Sequence, residues 1–253
     1  MEDEVSQGSF DPACARFELL ETILWTLKDG FYLLTRHMDR LCASADYFCE
    51  ATEGRLFGEV PEREEIIIEL SQRVPRDKGP QRVRCLLSSG GSLTVQSTPL
   101  PSTPARLADT GPRALPVKLD TQAIHTDSPF IRNKSTQRRV YDEARARVGC
   151  DWHGGEASKE NIPFDVILYN KFGQVTETSI ANIAIQDGDG QWITPKAECG
   201  LLPGVYRQEC LEVGHMKEGL VTISDLKDAV KRGRRIKCFN SVRKEYDVVL
   251  LDD

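Results

Sequence analysis

The sequence predicts a mixed fold of α-helices and β-strands, of the α/β or α+β class, arranged in two lobes. Hairpin patterns and amphipathic helical patterns are interspersed along the 253 residues without strict strand–helix–strand alternation, and no internal repeat is present. A stretch with five prolines between residues 98 and 116 separates the two halves and predicts an irregular connection. We therefore expect an N-terminal α/β lobe over residues 1–115 and a C-terminal lobe over residues 116–253.

The first half opens with a hairpin pattern followed by a helical pattern. Two apolar runs rich in β-forming residues flank Asp29-Gly30, a dipeptide typical of hairpin turns. Farther along, Leu41, Ala45 and Phe48 recur at a spacing that places them on one face of a helix. The sequence thus predicts two strands and then an amphipathic helix.

A second helix and a second hairpin follow. Pro61 stands near the start of the helical segment 59–74, where proline is well tolerated, and apolar residues cluster between positions 66 and 70. Two β-forming runs then flank Gly90-Gly91. These two elements complete the predicted N-terminal lobe.

The second half opens with a short strand near residues 114–119. The next segment predicts a helix that begins just after Lys134, with Ser135 or Thr136 as its N-terminal cap and Gly149 as its end. The remaining elements are strands within 164–195 with turns at 171–173 and 187–190, a loop entering a helix over 201–214, a helix around 224–232, and final strands after residue 234.

Composition and charge exclude several classes of function. The net charge is -6 and the pI is near 5.4, so we expect no nucleic-acid partner, and the basic run 231–237 is interpreted as a solvated turn. There is no apolar run of about 20 residues, which predicts no membrane span. The acidic, polar N-terminus lacks the features of a signal peptide, and the eight cysteines are scattered without a CxxC pair. We expect reduced thiols and a cytoplasmic protein.

Common catalytic and metal motifs are absent from the sequence. It contains no phosphate-binding loop of the GxxxxGK[ST] type, no GxGxxG after a strand, no HExxH and no GxSxG. The four histidines have no ligand-like spacing, so we expect no metal site and interpret them as surface or structural residues.

Four separate segments nevertheless form a recognisable set, and their sequences are HMDRLCASADYF (37–48), NKSTQRRVY (133–141), GQVTETSIANIAI (173–185) and GLLPGVYRQ (200–208). In this order they resemble the fold-type IV pyridoxal-phosphate enzymes, which include branched-chain and D-amino acid aminotransferases and aminodeoxychorismate lyases. The resemblance extends from about Phe17 to Leu251, and FELLETILWTLKDG and CFNSVR are most similar to the lyase branch. It implies a D-amino acid aminotransferase-like fold with a smaller N-terminal lobe and a larger, β-barrel-like C-terminal lobe.

The resemblance implies a catalytic lysine and a carboxylate for the cofactor. Lys134 matches the lysine that holds the cofactor as a Schiff base and moves protons, and partial burial with Arg138 and Arg139 nearby should lower its pKa. Glu177, a charge within a strand pattern, matches the carboxylate that stabilises the protonated pyridine nitrogen. Taken alone, these two residues would be interpreted as a surface lysine and a solvent-facing strand glutamate.

The resemblance also implies a phosphate site. Arg40 matches the family's phosphate arginine, whose planar guanidinium can bind two oxygens. Val205 and Tyr206 match the helix start whose backbone N–H groups face the phosphate, and a side-chain contact from Tyr206 is doubtful because aminotransferases tend to have threonine there. Ser241 resembles a hydroxyl residue that supplies another phosphate contact, although an ordinary loop serine is an alternative.

The choice of reaction depends on the substrate pocket, because lyase and transaminase share the same cofactor residues. Arg243 could pair with a substrate carboxylate, which favours aminodeoxychorismate lyase, and Tyr141 is expected to bind substrate. Lys244 stands where the family usually has glycine, which leaves the placement of Arg243 open. The alternatives are a class IV aminotransferase acting on D-amino acids, branched-chain amino acids or amines, and an inactive relative that serves as a binding partner. The resemblance also implies a homodimer.

Overall fold

The computed structural model describes residues 16–100, 114–150 and 162–251. Residues 1–15, and positions 101–113 of the proline-rich stretch, lie outside the described residues. The helices are α1 (Leu34–Ala51), α2 (Arg63–Arg73), α3 (Pro129–Arg132), α4 (Arg139–Val148), α5 (Val205–Glu212) and α6 (Ile223–Lys231). The strands are β1 (Glu18–Thr26), β2 (Gly30–Phe31), β3 (Gln81–Ser88), β4 (Leu93–Pro99), β5 (Leu115–Leu119), β6 (Asp165–Tyr169), β7 (Val175–Thr178), β8 (Asn182–Gln186), β9 (Trp192–Pro195), β10 (Lys217–Gly219), β11 (Ile236–Asn240) and β12 (Lys244–Leu250).

The first half of the chain forms a four-stranded antiparallel sheet in the order β2-β1-β3-β4. Both hairpins that the sequence predicts are present, although β2 is only two residues long because α1 begins at Leu34. The apolar stripe of α1, with Leu41, Ala45 and Phe48, packs with β1 and α2 in one buried cluster. Burial of this stripe fixes α1 across the sheet.

The second half forms a mixed eight-stranded sheet in the order β10-β9-β8-β11-β12-β5-β6-β7. Strands β7 and β8 stand far apart in this order, yet a tight turn joins them, and the Thr178 N–H donates to the Ala181 carbonyl at 2.8 Å. The sheet therefore curls into a half-barrel. The mixed α/β architecture and the barrel-like second sheet confirm the predicted fold class.

Three further expectations from the sequence can be compared with the structure directly. The basic run 231–237 lies beside carboxylates, with ion pairs from Arg232 and Arg234 to Asp228 and from Arg235 to Asp247. Within the described residues, no helix is both long and apolar enough to cross a bilayer. The seven cysteines of the described ranges are all free thiols.

The predicted start of the helix after Lys134 is wrong, because α4 begins only at Arg139. The Thr136 hydroxyl, expected to cap this helix, instead accepts a hydrogen bond from the Glu18 N–H at 2.9 Å. Gly149 does end the helix, with a φ of 68° that suits glycine. Residues 134–136 are therefore extended and pair with β1, which the local sequence pattern does not reveal.

Candidate active site

Lys134 is anchored by a strand from the other half of the chain. Its carbonyl accepts a hydrogen bond from the Leu20 N–H at 3.0 Å, and Ser135 forms an isolated bridge with Leu19 of β1. On the next residue, the Thr136 N–H donates to the Glu18 carbonyl at 2.9 Å. These backbone bonds place the lysine beside β1 rather than on a helix.

The amine of Lys134 lies in a site that favours its neutral form. Burial, followed by the positive charges of Arg40 and Arg138, lowers the pKa of Lys134 to about 8, against the opposing pull of Glu21 and Glu177. The amine has no hydrogen bond or ion pair to any described residue. At pH 7, roughly a tenth of the molecules carry it as a free base, which can act as a nucleophile or accept a proton.

Arg138 is the nearby cation that the sequence predicts, whereas Arg139 is not. Arg138 donates from Nη2 to the Ser179 carbonyl at 2.6 Å, and its guanidinium carbon lies 4.8 Å from the centroid of the Tyr141 ring. Arg139 points a side chain that is 81% exposed toward Glu143, one helical turn away. Only Arg138 of this pair is among the groups that lower the pKa of Lys134.

Glu177 is buried in β7 and is only 3% exposed. Its Oε1 accepts hydrogen bonds from the Tyr141 hydroxyl at 2.9 Å and from the Leu202 N–H at 3.1 Å. Its Oε2 has only a 3.5 Å contact with the Asn182 side-chain amide. Burial raises the pKa of Glu177 to about 7, although these hydrogen bonds oppose the shift.

No cation of the described chain forms an ion pair with Glu177. Buried carboxylates are normally paired with a positive charge, since a lone buried charge is costly. The strand position thus supplies a fixed, hydrogen-bonded acceptor that has no ion pair within the described residues. Such a group is suited to a cationic ligand atom.

The turn before α5 lies directly against Glu177. Asn182 donates to the Leu202 carbonyl at 2.9 Å, and Gly204 lies so close that a Cβ there would approach Asn182 Oδ1 to 2.1 Å. Only glycine fits at this point without displacing Asn182. The start of α5 is therefore held beside the carboxylate.

The N-terminus of α5 has no side-chain cap among the described residues. Its first residues are Val205 and Tyr206, whose N–H groups lack partners within a helix of this geometry. The Tyr206 side chain packs near Phe239, with ring centroids 6.2 Å apart, and is hydrogen-bonded to the Cys210 thiol. These partners lie within the protein, so the side chain is turned away from a ligand at the helix start. The backbone donors can bind an anion such as phosphate.

Arg40 lies on α1 and faces the same turn. It donates to both oxygens of Glu21, from Nε at 2.8 Å and from Nη2 at 2.6 Å, and to the Pro203 carbonyl at 3.3 Å. His37 Nδ1 donates to Glu21 Oε2 at 2.6 Å. Burial alone would raise the pKa of Glu21, but Arg40 and His37 hold it at about 2.

Sequence reasoning missed Glu21 as part of the site and interpreted His37 only as a surface or structural residue. The available signal was the one that drew attention to Glu177, namely a carboxylate among apolar residues of a strand, here in ELLETILWT. His37 is completely buried against this carboxylate. Of the other histidines, His125 and His215 are exposed and His153 lies outside the described ranges.

Ser241 and Arg243 lie in the turn between β11 and β12. The Ser241 hydroxyl donates to the Thr22 carbonyl at 3.2 Å, so this residue lies beside Glu21 on β1. Arg243 is exposed, and its guanidinium carbon lies 5.2 Å from the centroid of the Phe164 ring. It forms no ion pair with any residue that the structure describes.

The structure thus brings most of the predicted site residues together. Backbone and side-chain bonds connect the surroundings of Lys134, Arg40, Glu177, Val205 and Ser241, while Arg243 lies at an exposed edge. Within the three described ranges, no cluster of three or more histidine, cysteine or acidic residues could hold a metal ion. The arrangement offers an amine with a pKa of about 8, a buried carboxylate without an ion pair in the described chain, and N–H donors for an anion.

Comparison with known proteins places this arrangement in context. The amino-transferase class IV family model matches residues 18–231. A Schizosaccharomyces pombe protein provisionally named aminodeoxychorismate lyase is 36% identical over 231 residues, which cover 89% of this chain and 87% of the relative. The aminodeoxychorismate lyase of Saccharomyces cerevisiae is 23% identical over 88% of this chain and 68% of its own length. A crystal structure from Mesorhizobium loti, provisionally named an amino-acid aminotransferase, has a TM-score of 0.75 and 27% identity, and the match covers 93% of this chain and all of that one.

Proposed function

The chain belongs to the class IV aminotransferase family, and from that premise we propose that it is a pyridoxal-phosphate-dependent 4-amino-4-deoxychorismate lyase. This reaction yields 4-aminobenzoate and pyruvate and would serve folate biosynthesis. The observation that carries the proposal is the combination of Lys134, an amine with a pKa of about 8, and Glu177, a buried carboxylate without a protein cation. The names of the relatives from the two yeasts favour the lyase.

The residues present fit pyridoxal phosphate. When bound, this cofactor supplies an electron sink for the electrons left when a proton leaves an amine-bearing carbon, and it works best with a protonated ring nitrogen. Glu177 would stabilise that protonated nitrogen, which would in turn give the buried carboxylate its missing cation. Lys134 would hold the cofactor covalently through its amine.

The phosphate group would be held by residues from both halves of the chain. Arg40 supplies guanidinium donors, and Val205 and Tyr206 supply backbone N–H groups at the uncapped start of α5. The Ser241 hydroxyl would join them by turning its single hydrogen from the Thr22 carbonyl to the phosphate. A phosphate monoester carries nearly two negative charges at neutral pH and favours such fixed donors.

Lys134 is the group that we propose moves protons during the reaction. Its neutral amine would remove the proton from the substrate carbon that bears nitrogen, and its ammonium form would then return a proton as the enolpyruvyl group leaves as pyruvate. A pKa near the working pH suits both roles. Formation of the aromatic ring of 4-aminobenzoate drives the reaction, and no keto acid acceptor is needed.

Arg243 is the proposed partner of a substrate carboxylate. Its side chain is exposed and free of ion pairs within the described residues, and it lies over an aromatic ring that can guide it without neutralising it. A substrate contact from Tyr141 stays a prediction, since its hydroxyl is engaged by Glu177.

An aminotransferase is the second candidate. It is favoured by the Mesorhizobium loti structure, which is 27% identical and whose name describes an amino-acid aminotransferase. Such an enzyme would use the same lysine and carboxylate but would need a keto acid to recover the amine. The requirement for an acceptor therefore separates the two candidates.

The deciding experiment supplies the cofactor-loaded protein with enzymatically generated aminodeoxychorismate and follows 4-aminobenzoate and pyruvate, beside a Lys134→Ala control. Product formed without any keto acid, and lost in the control, is the expected result. A loaded protein that forms no product but transfers amines to pyruvate or 2-oxoglutarate would establish the aminotransferase instead. A protein that neither binds the cofactor nor reacts would favour the inactive binding partner.

We also propose a homodimer, as the family resemblance implies. Light scattering coupled to size-exclusion chromatography tests this, and a mass of one chain at micromolar concentration would contradict it. The cytoplasmic location stays a prediction that fluorescence microscopy of the tagged protein can test.

A further inference from the structure

We propose that Glu21 is a positioning residue that selects which edge of the Arg40 guanidinium is presented to the cofactor phosphate. This inference rests on the proposed function, because it assumes a phosphorylated cofactor at this site. It concerns a residue of β1 that binds Arg40 rather than the cofactor itself.

Arg40 keeps free hydrogen-bond donors after it has bound Glu21. A guanidinium carries five N–H groups. Glu21 accepts one from Nε and one from Nη2, and the Pro203 carbonyl accepts one from Nη1. Two N–H groups remain, one on each terminal nitrogen. Two such donors on one planar group suit the two-oxygen recognition of a phosphate.

Glu21 holds Arg40 so that the guanidinium faces the turn before α5. The Pro203 carbonyl that also binds Arg40 lies two residues before Val205, the first residue of α5. The two remaining N–H groups are thus fixed near the uncapped helix start. Without the bidentate bond to Glu21, the flexible Arg40 side chain would have to be ordered when the phosphate binds, which lowers affinity.

Glu21 is itself held rigidly by its surroundings. Its side chain is 1% exposed, and His37, which is completely buried, donates from Nδ1 to its Oε2. Glu21 also lies within the part of β1, from Glu18 to Trp25, that pairs with β3. The carboxylate therefore cannot follow Arg40 if the arginine moves. Strand β1 and His37 therefore hold Glu21 in place, and Glu21 in turn holds Arg40.

The negative charge of Glu21 has an opposite effect on phosphate affinity, because it partly neutralises Arg40. Glu21 cancels part of the positive charge that would attract a phosphate, so a purely electrostatic view predicts tighter binding after its removal. If Glu21 instead positions Arg40, its removal should weaken phosphate binding. The sign of the change therefore separates charge from geometry.

The test measures the dissociation constants of pyridoxal 5′-phosphate and of pyridoxal, which lacks the phosphate, for the wild type and for Glu21→Gln. We expect the affinity for pyridoxal 5′-phosphate to fall by roughly tenfold to a hundredfold, the range typical of residues that orient a ligand-binding group. The affinity for pyridoxal should change little. Glu18→Gln is the matched control, because Glu18 lies on the same strand and its side chain forms no bond to any described residue.

The same experiment defines the results that would overturn the inference. Equal losses for both ligands would mean that Glu21 only supports the fold, and a gain or no change for the phosphorylated ligand would mean that it does not position Arg40. In an Arg40→Met background, Glu21→Gln should no longer alter the preference for the phosphorylated ligand.

Glu21→Asp answers the same question if the glutamine variant does not fold. It keeps the charge but withdraws the carboxylate by one methylene, so the preference for the phosphorylated ligand should still fall, and an unchanged preference would overturn the inference. Binding is measured without turnover. A wild type that shows no preference for the phosphorylated ligand would refute both proposals, whereas a preference that persists in the Glu21 variants refutes only this one.

Discussion

Tyr141 donates its phenolic hydrogen bond to Oε1 of Glu177 at 2.9 Å, and neither side chain is open to solvent. The bond joins the first turn of α4 to strand β7, which are 36 residues apart in the chain. Because the bond favours the charged carboxylate, Tyr141 controls how readily Glu177 ionises. Burial, and then the charge and bond of Glu177, in turn raise the pKa of Tyr141 well above its usual range, so Tyr141 remains a donor.

The variant Tyr141→Phe should therefore raise the pKa of Glu177 above about 7. The acidic limb of the pH profile of pyridoxal 5′-phosphate binding to the cofactor-free protein should move to higher pH, and the affinity at pH 7 should fall by roughly tenfold, the effect of one charge-assisted hydrogen bond. Tyr246→Phe is the control, since the buried Tyr246 hydroxyl has no partner in the described chain. Equal losses in both variants, without a shift of the limb, would contradict this role.

Removal of the Glu177 charge should stabilise the cofactor-free protein while it weakens cofactor binding. The pKa of Glu177 rises from an ordinary 4.5 to about 7 on folding. Between these values the folded state binds more protons than the unfolded state, so the free energy of unfolding falls as pH rises through this window. For a fully buried group the loss is on the order of 3 kcal/mol by pH 8.

The measurement is urea unfolding of the cofactor-free wild type and Glu177→Gln at pH 6 and pH 8. The variant should be the more stable protein at pH 8, and the difference should shrink at the lower pH. A wild type that is at least as stable at pH 8 would show that Glu177 has another cationic partner. The variant should also bind pyridoxal 5′-phosphate more weakly at both pH values.

Replacement of Arg138 should raise the pKa of Lys134, because Arg138 is one of the two cations that lower it. The rate of cofactor loading, followed by absorbance as a function of pH, should then show its midpoint above about 8 in Arg138→Met. Arg139→Met is the matched control, since Arg139 is exposed and paired with Glu143. A midpoint that moves equally in both variants would contradict the assignment.

Gly204→Ala should disturb the start of α5. The new Cβ would meet Asn182 Oδ1 at 2.1 Å, so Asn182 or the turn must shift, and either shift moves the backbone donors of Val205 and Tyr206. We expect at least a tenfold loss of affinity for pyridoxal 5′-phosphate, in line with the cost of a misplaced binding group. Gly188→Ala is the control because nothing lies within 4 Å of a Cβ there. Unchanged affinity in Gly204→Ala would show that the turn can relax.

Local sequence patterns predicted most of the fold because most elements obey local rules. The apolar stripe of α1, the glycine turn between β3 and β4, and Gly149 at the end of α4 each follow from spacing or from backbone preference. Two of the elements that were missed, α3 and β10, have only four and three residues, too few to show a period.

Distant contacts explain where sequence reasoning failed. Ser135 and Thr136 have the side chains of a helix cap, but in the folded chain the Ser135 backbone bridges Leu19 and the Thr136 hydroxyl accepts from the Glu18 N–H. No basic residue of its own strand marks Glu21 as half of an ion pair, because its partner Arg40 comes from the next helix. Resemblance to a family identified Lys134, Arg40 and Glu177 as a set, whereas the residues that orient them became apparent only in the structure.

Three consecutive residues of β1 each hold a different segment of the site. The Leu20 N–H binds the Lys134 carbonyl, Glu21 binds Arg40, and the Thr22 carbonyl accepts from Ser241, which lies 219 residues farther along the chain. During synthesis, the strand leaves the ribosome long before Ser241 does, so the binding site cannot be complete until the turn with Ser241 has also emerged. Cofactor capture would then report on folding, because it requires chains in which β1 and the turn after β11 have met.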